Sequence, residues 1–231
     1  MKQALLFAAG LGSRLRPLTS QTPKPLLCAG GKPLIVWHLE KLAAAGIEEV
    51  LINTSHLAEQ FEPALGDGSR WGLRIHYLHE GPQPLETGGG MRNALPWLGQ
   101  APFLAIAADI WSDIDYAAIR MPESALAHLL MVANPDWHPQ GDFQLLDGWI
   151  RWPGHEPRLT FSSIGLYRRA FIESHAEGCF KLLPLYQAAA AEGRLSGQQH
   201  HGRWHNIGTC EQLQALDQAL GGSRRLIQSG Q

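Results

Sequence analysis

Short apolar runs alternate with helix-like segments along the first half of this chain, and this order restricts the fold more than any other feature. The first run, residues 3–8, leads directly into Gly10, as expected of a strand buried on both faces. Such alternation predicts an α/β fold with a mainly parallel sheet that is covered by helices. The predicted strands are residues 3–8, 49–53, 73–78 and 103–108, and the predicted helices are residues 33–45, 56–65 and 90–98.

The second half is less regular and predicts more strands with two further helices. Asp147-Gly148 is typical of a hairpin turn between two of these strands. Thr209 is a plausible N-cap for the last helix. The predicted strands are residues 127–133, 143–146, 149–152 and 159–167, and the predicted helices are residues 181–191 and 209–220.

Charge and composition exclude several classes of partner. The chain has 19 Lys and Arg against 21 Asp and Glu, a net charge of -2, so no nucleic-acid partner is expected. No stretch of about 18 apolar residues is present, so no membrane partner is expected either. Three widely spaced cysteines indicate neither a disulfide framework nor a metal site, and they favour a reducing cytoplasm. The small size of the chain favours a monomer.

The loop after the first strand carries the strongest functional signal. A dinucleotide-binding loop would need a third glycine where Leu15 stands. A Walker A loop would need glycine in place of Leu26 and Ser or Thr in place of Pro33. What remains is a glycine pair with the fixed cations Arg14 and Lys24 among prolines, which is suited to holding a triphosphate. The glycine pair alone is equally compatible with an ordinary tight turn.

At these residues the chain resembles the sugar-1-phosphate nucleotidylyltransferases, and most closely the bacterial N-acetylmuramate α-1-phosphate uridylyltransferases. The signature consists of Ala9-Gly10-x-Gly12-x-Arg14-Leu15-x-Pro17-Leu18-Thr19 followed by Pro23-Lys24-Pro25. Softer similarities follow in the expected order at residues 85–90, 141–143, 160–162 and 180–182. The resemblance implies a Rossmann-like, three-layer α/β fold with a mainly parallel mixed central sheet and a small sugar-binding β extension.

The same resemblance implies a division of the chain and a reaction. Residues 1–220 would form one domain, with a nucleotide-binding half over 1–110 and a sugar-binding half over 111–220, and residues 221–231 would be a flexible tail. An oxygen of a sugar-1-phosphate would attack the α-phosphorus of a nucleoside triphosphate, with UTP the expected donor, and pyrophosphate would leave. Such chemistry relies on positioning and charge neutralisation and needs no protein nucleophile.

The resemblance also assigns roles to residues on the nucleotide side. Arg14 and Lys24 would be catalytic, the first at the leaving pyrophosphate and the second at the reacting phosphates. A loop formed by Gly88, Gly89 and Gly90 would flank the base ahead of a helix. The residues expected to bind the nucleotide are Ala8, Ala9, Gly10, Gly12, Ser13, Gly88 and Gly89.

A Mg²⁺ cofactor is expected at Asp109 and Asn206. Asp109 ends a predicted buried strand, where ligands of open α/β sheets bind, and its carboxylate suits Mg²⁺. Asp113 and Asp115 compete for the role but fit a turn and a helix start better. The resemblance supplies the second ligand at Asn206, where the most similar relatives have Asp. An amide in place of a carboxylate removes one negative charge and predicts weaker or more triphosphate-dependent Mg²⁺ binding.

The acceptor side departs most from the family pattern. Ala107 and Ala108 replace the usual Asn-Gly before Asp109, and Ser163 stands where relatives often have Gly. The residues expected to contact the sugar or its phosphate are Ala108, Asp142, Ser163 and Lys181, although Lys181 could equally be a solvated residue at a helix start. Another sugar-1-phosphate or a phospho-alcohol therefore remains an alternative acceptor, and a weakened nucleotide-sugar-binding regulator remains an alternative function.

Overall fold

The computed structural model describes residues 1–221, and thirteen strands occur within them. The predicted tail falls almost entirely on residues 222–231, which lie outside the described part. The strands are β1 (Gln3–Phe7), β2 (Cys28–Ala29), β3 (Lys32–Pro33), β4 (Glu49–Thr54), β5 (Arg74–His79), β6 (Phe103–Ala107), β7 (Ile110–Ser112), β8 (Ala127–Val132), β9 (Gln144–Leu146), β10 (Trp149–Arg151), β11 (Thr160–Tyr167), β12 (Leu195–Gln199) and β13 (Trp204–Asn206).

Nine of these strands form the central sheet of the described chain. Their order is β5-β4-β1-β6-β11-β8-β12-β10-β9. Every pair from β5 to β6 is parallel, and β11 then runs antiparallel to both β6 and β8. Beyond them β12 is parallel to β8, while β10 and β9 complete the sheet in antiparallel fashion. The α/β class with a mixed central sheet is therefore confirmed.

Helices cover both faces of this sheet, and within the described residues they are α1 (Leu34–Ala44), α2 (Phe61–Leu65), α3 (Glu86–Ala94), α4 (Leu183–Ala191) and α5 (Cys210–Ala219). Alternate residues of β1 point to opposite sides, so Ala4 and Leu6 pack beneath α1 and α2, whereas Leu5 packs with α3 and α4. The last helix, α5, packs on Leu15 and Leu27 in a third apolar cluster. This cluster lies beside the glycine loop, the segment of residues 8–19 that follows β1 and carries Gly10 and Gly12. Three layers result, as expected.

Two local signals read from the sequence are confirmed. The Thr209 side chain accepts a hydrogen bond from the Gln212 backbone N–H, and the Gln212 side chain accepts from the Thr209 N–H, which together form a capping box. Asp147 and Gly148 both have positive φ, of 50° and 80°, as a two-residue hairpin turn between β9 and β10 requires.

Several elements differ from the sequence predictions. The helix predicted over residues 56–65 is an α-helix only at Phe61–Leu65, after a short 3₁₀ turn, and the two-stranded ribbon of β2 and β3 was not predicted. Helix α3 begins at Glu86 rather than residue 90, so the three glycines are helical and do not form a loop. Glycine has a poor intrinsic helix propensity, which here is overridden by tertiary contacts. Strand β12 was not predicted because its sequence is mostly polar. The two-stranded ribbon of β7 and β13 was not predicted because each of its strands has only three residues, too few to show a strand-like alternation. Within residues 1–221, no helix combines the length and the apolarity needed to cross a bilayer.

Candidate active site

A continuous cleft crosses the carboxyl ends of β1 and β6, the edge at which open α/β sheets bind ligands. It consists of two cavities of about 500 and 410 Å³, which share Phe7, Glu86, Thr87 and Ala107. The larger, the loop cavity, is bounded by the glycine loop after β1, and the smaller, the extension cavity, is bounded by strands of the second half. The loop cavity is further lined by Ala8, Ala9, Gly10, Leu11, Gly12, Ser13, Lys24, Pro25, Asn53, Glu80, Pro84 and Asp109. The extension cavity is further lined by Ala105, Asp142, Phe143, Phe161, Ser163, Tyr167, Lys181, Leu182, Leu183 and Tyr186.

The cleft brings together most of the residues selected from the sequence. Those in the loop cavity are Ala8, Ala9, Gly10, Gly12, Ser13, Lys24 and Asp109. Those in the extension cavity are Asp142, Ser163 and Lys181. The residues that line neither cavity are Arg14, Gly88, Gly89, Ala108 and Asn206.

The glycine loop exposes its backbone to the loop cavity. A Cβ on Gly10 would have no neighbouring atom within 4 Å, so this part of the backbone is open to a ligand. Gly12 has a φ of +62°, and a Cβ there would lie 2.9 Å from the Thr19 side chain. The Thr19 hydroxyl donates to the Gly12 carbonyl over 2.8 Å, while Leu15 anchors the turn in the apolar core. The loop is thus held in one shape by contacts behind it.

Lys24 places a nearly buried cation in the loop cavity. Its side chain is only 10% exposed, and its Nζ forms an ion pair with Oδ2 of Asp109. Burial of an ammonium group is costly unless a carboxylate partner is present, so the two residues depend on each other. Asp109 itself remains 31% exposed and is therefore accessible to a ligand.

Asn206 lies next to Asp109 although the two are far apart in the sequence. Strand β13 pairs with β7 so that Asn206 is opposite Ile110, and the Ile207 N–H donates to the Asp109 carbonyl over 3.0 Å. Backbone pairing thus places Asn206 beside Asp109, although Asn206 lines neither cavity.

The competing carboxylates of the same region are engaged elsewhere. Asp113 accepts a 2.7 Å hydrogen bond from Nε2 of His200 and forms an ion pair with Arg203. Asp115 caps a short 3₁₀ turn by accepting from the Ala117 N–H, as a helix-start residue would.

Arg14 is exposed on the rim, beside the segment that follows β13. A Cβ on Gly208 would lie 3.2 Å from Nη2 of Arg14, which places the guanidinium against that backbone. Within residues 1–221, Arg14 belongs to no ion pair, so its charge is available to a ligand.

Gly88 and Gly89 lie behind the cleft and not in its wall, which corrects the expected loop. Their backbone N–H groups, in the first turn of α3, donate to the Phe180 carbonyl over 2.8 and 3.1 Å. A Cβ on Gly88 would lie 2.4 Å from the Phe180 ring, and one on Gly89 would lie 2.1 Å from the Gly178 carbonyl oxygen. The glycines therefore seat the segment that ends in Lys181, which precedes α4 and lines the extension cavity.

On the acceptor side, Asp142 is held by contacts to both of its carboxylate oxygens. Its Oδ1 lies 3.1 Å from Nε2 of His138, and its Oδ2 accepts a 2.7 Å hydrogen bond from the Phe161 N–H. Ala108 does not reach the cavity, because it is fully buried and its N–H donates to the Phe7 carbonyl. Ala107, one residue earlier, lines both cavities instead.

Ser163 has the left-handed backbone that favours glycine. Its φ is +60°, inside the irregular stretch of β11 between Phe161 and Gly165.

Ser163→Gly is expected to raise the free energy of unfolding by about 0.5–1 kcal/mol, because relief of roughly 1–2 kcal/mol of left-handed strain exceeds the entropy that glycine adds to the unfolded chain. Urea unfolding measures the difference. Ser162→Gly, in the same irregular stretch but without a positive φ, is the control and should lower stability. Equal losses in both variants would contradict the explanation.

Sequence reasoning overlooked three acidic or amide residues of the loop cavity. Asn53 lies near the end of β4, Glu80 directly follows β5, and Glu86 opens α3 with a φ of +60°. The strand-end rule that selected Asp109 applies equally to Asn53 and Glu80. Burial raises the pKa of Glu80 above its usual value, although hydrogen bonds from the Leu85 N–H and from Asn53 act in the opposite direction.

Comparison with known proteins agrees with this architecture. The profile of the family described as "Nucleotidyl transferase" matches residues 3–141. The chain is 44% identical to N-acetylmuramate alpha-1-phosphate uridylyltransferase of Neisseria meningitidis serogroup B, over 96% of this chain and 99% of that protein. It is 35% identical to the protein of the same name from Caulobacter vibrioides, over 90% of this chain and 92% of the relative.

Solved structures share the fold at low sequence identity. HddC from Yersinia pseudotuberculosis, complexed with GMP-PN, has a TM-score of 0.79 and 20% identity, over 95% of this chain and 99% of HddC. The inositol-1-phosphate CTP transferase from T. maritima has a TM-score of 0.78 and 16% identity, over 96% and 95% of the two chains. These structures establish the fold, whereas the relatives of higher identity bear on the activity.

Proposed function

The chain belongs to the nucleotidyl transferase family, and from this membership we propose that it transfers a uridylyl group from UTP to N-acetylmuramate α-1-phosphate. The products would be UDP-N-acetylmuramate and pyrophosphate, in a reaction of peptidoglycan recycling. Two relatives of that name align with nearly the whole chain, which supports this acceptor over the other sugars of the family.

The observation that carries the proposal is the joining of two cavities in one cleft. The loop cavity offers an open glycine backbone and the Lys24–Asp109 pair to a triphosphate. The extension cavity offers Lys181 and Asp142 to a phosphorylated sugar. Because both cavities share Ala107 and Thr87, two substrates bound in them would meet at the reacting phosphates.

The reaction is a displacement at phosphorus. An oxygen of the sugar phosphate forms a bond to the α-phosphorus of UTP, and the bond from that phosphorus to the bridging oxygen of pyrophosphate breaks. Lys24 would offset the negative charge at the α-phosphate, and Arg14 would stabilise the pyrophosphate as it leaves. Lys181 would bind the acceptor phosphate, and Asp142 would accept from a sugar hydroxyl.

Asp109 and Asn206 fit a Mg²⁺ ion that is bound together with the triphosphate. Both have hard oxygen donors, and the Ile207 N–H holds their backbones together. Among residues 1–221 no group of three or more His, Cys, Asp or Glu side chains could hold a metal, so phosphate oxygens would complete the coordination. When bound, the ion would supply positive charge to the phosphates.

Asn206→Asp is expected to tighten Mg²⁺ binding about tenfold or more, because it restores a negative charge to the pair of oxygen ligands. Isothermal titration with MgCl₂, with and without a non-hydrolysable UTP analogue, measures the change. The gain should be larger without the analogue, since the phosphates then contribute no ligands. Gln198→Glu, outside the two proposed ligands, controls for added charge. Equal affinities in the native protein and Asn206→Asp would exclude Asn206 as a ligand.

Compartment and assembly are part of the same proposal. Cys28, Cys179 and Cys210 are all free thiols, which supports a reducing cytoplasm. We further propose a monomer, which size-exclusion chromatography with light scattering tests.

The decisive assay is pyrophosphate release in the presence of Mg²⁺. UTP, CTP, GTP, ATP and dTTP are each combined with the α-1-phosphates of N-acetylmuramate, N-acetylglucosamine and glucose, and with inositol-1-phosphate. Preferential turnover of UTP with N-acetylmuramate α-1-phosphate is the expected result. Preference for another combination of nucleotide and acceptor would support the same type of reaction with different substrates. Nucleotide-sugar binding without turnover of any pair would instead favour a regulatory binding protein.

A further inference from the structure

We propose that Asn53 and Glu80 are positioning residues that hold two walls of the loop cavity at a fixed separation. The proposal rests on the proposed function, because it takes the loop cavity to be the nucleotide site. One wall is the end of β1, where Ala8 lines the cavity. The other is the start of α3, where Glu86 and Thr87 line it.

A short chain of hydrogen bonds connects these walls. The Ala8 N–H donates to Oδ1 of Asn53 over 2.6 Å, and Nδ2 of Asn53 donates to Oε1 of Glu80 over 2.6 Å. The Leu85 N–H, immediately before Glu86, donates to Oε2 of Glu80 over 2.8 Å. None of these three hydrogen bonds involves Lys24 or Asp109. Asn53 and Glu80 therefore act on the shape of the loop cavity and not on the reacting phosphates.

These three consecutive hydrogen bonds permit only one arrangement of donors and acceptors. Both ends are backbone N–H groups, which can only donate. An amide accepts at one atom and donates at the other, so a single group that accepts on both sides must complete the chain. Glu80 is that group, because both of its carboxyl oxygens accept. A glutamine at position 80 would direct an NH₂ group at either the Leu85 N–H or the Asn53 amide, whichever way it turned.

Close packing prevents the side chains of Asn53 and Glu80 from turning away when two donors or two acceptors face each other. Asn53 is only 2% exposed, and Gly90 of α3 lies directly against the pair. A Cβ on Gly90 would lie 2.6 Å from Nδ2 of Asn53 and 2.7 Å from Oε1 of Glu80. This close approach explains why the third glycine of the run is required. A mismatch must therefore be relieved by movement of the walls.

The same logic predicts an unusual rescue. Glu80→Gln and Asn53→Asp should each disrupt the chain, the first by facing two donors and the second by facing two carboxylates. Combined, they should restore it with the roles exchanged. The new carboxylate at position 53 would accept from the Ala8 N–H and from the new amide at position 80, whose oxygen would accept from the Leu85 N–H.

Isothermal titration of UTP with Mg²⁺ into the full-length native protein, the two single variants and the double variant tests the inference. Each single exchange is expected to weaken UTP binding about tenfold or more, as the loss of a charged hydrogen bond would. The double exchange is expected to return the affinity to within about threefold of the native value. Steady-state assays should show the same pattern in KM for UTP and little change in KM for the sugar phosphate.

The outcomes separate this inference from the proposed function. A native protein that binds no UTP overturns both. A native protein that binds UTP, with a double variant no better than the single variants, overturns only the role of the pair. Ser196→Ala is the matched control, because it removes a buried hydrogen bond to His128 outside both cavities and should lower stability without changing UTP affinity. If Glu80→Gln does not fold, a folded double variant with near-native UTP affinity supports the inference, and an unfolded one overturns it.

Discussion

Lys24→Met should lower kcat/KM for uridylyl transfer by about 100- to 1,000-fold, the usual effect of removing a preorganised cation from a phosphoryl-transfer site. Methionine keeps most of the side-chain volume, so the nearly buried position stays filled. The loss of activity should therefore result from removal of the positive charge and not from a change in packing. Pyrophosphate release measured over a range of UTP concentrations gives both kcat and KM, and most of the effect is expected in kcat, where charge develops in the transition state.

The control for this variant is another lysine that is already paired. Lys32 forms an ion pair with Glu40 and lines neither cavity, so Lys32→Met should leave kcat/KM within about twofold, as a surface ion pair contributes little. Circular dichroism should show that Lys24→Met remains folded, since Asp109 is partly exposed and can be hydrated once its partner is removed. Native-like activity in folded Lys24→Met would exclude Lys24 from the chemistry.

Gly88→Ala should lower the free energy of unfolding by about 2–3 kcal/mol, a typical cost of forcing an extra carbon into a packed interface. The added Cβ would collide with the ring and carbonyl of Phe180, and the two hydrogen bonds from α3 to that carbonyl would be strained. Because this contact seats Lys181, KM for the sugar phosphate should rise more than KM for UTP. Urea unfolding and steady-state kinetics measure the two effects.

Gly99→Ala is the matched control for this packing prediction. Gly99 is exposed and has an ordinary φ, and a Cβ there would meet only the Gln3 side chain at 3.4 Å. The substitution should change stability by less than about 0.5 kcal/mol. Similar losses for the two variants would mean that Gly88 has no special packing role.

The parts of the fold that depend on local signals could be predicted from the sequence. The buried runs of β1, β4 and β6 and the cap at Thr209 follow from periodicity and residue chemistry within a short window. The glycine loop, Lys24 and Asp109 could likewise be placed at one edge, because consecutive parallel strands end there.

What could not be predicted depends on contacts between distant segments. The helical start of α3 is decided by Phe180, a residue far along the chain, and not by the propensity of three glycines. The burial of Ala108 follows from its backbone bond to Phe7, which no pattern in the sequence signals. Asn53 and Glu80 could each be placed at a strand end, but only the pairing of β4 with β5 brings their side chains together.

The pairing of β13 with β7 also determines when, during synthesis, the proposed Mg²⁺ site of Asp109 and Asn206 can form. Asp109 emerges from the ribosome well before Asn206, and at about 5–20 residues per second the roughly one hundred intervening residues take roughly 5–20 s to be translated. Until then the nascent chain can form β1, β4, β5 and β6 with the glycine loop, but the edge beside Asp109 stays open. The proposed site can therefore be completed only late, after almost all of the described chain has been made.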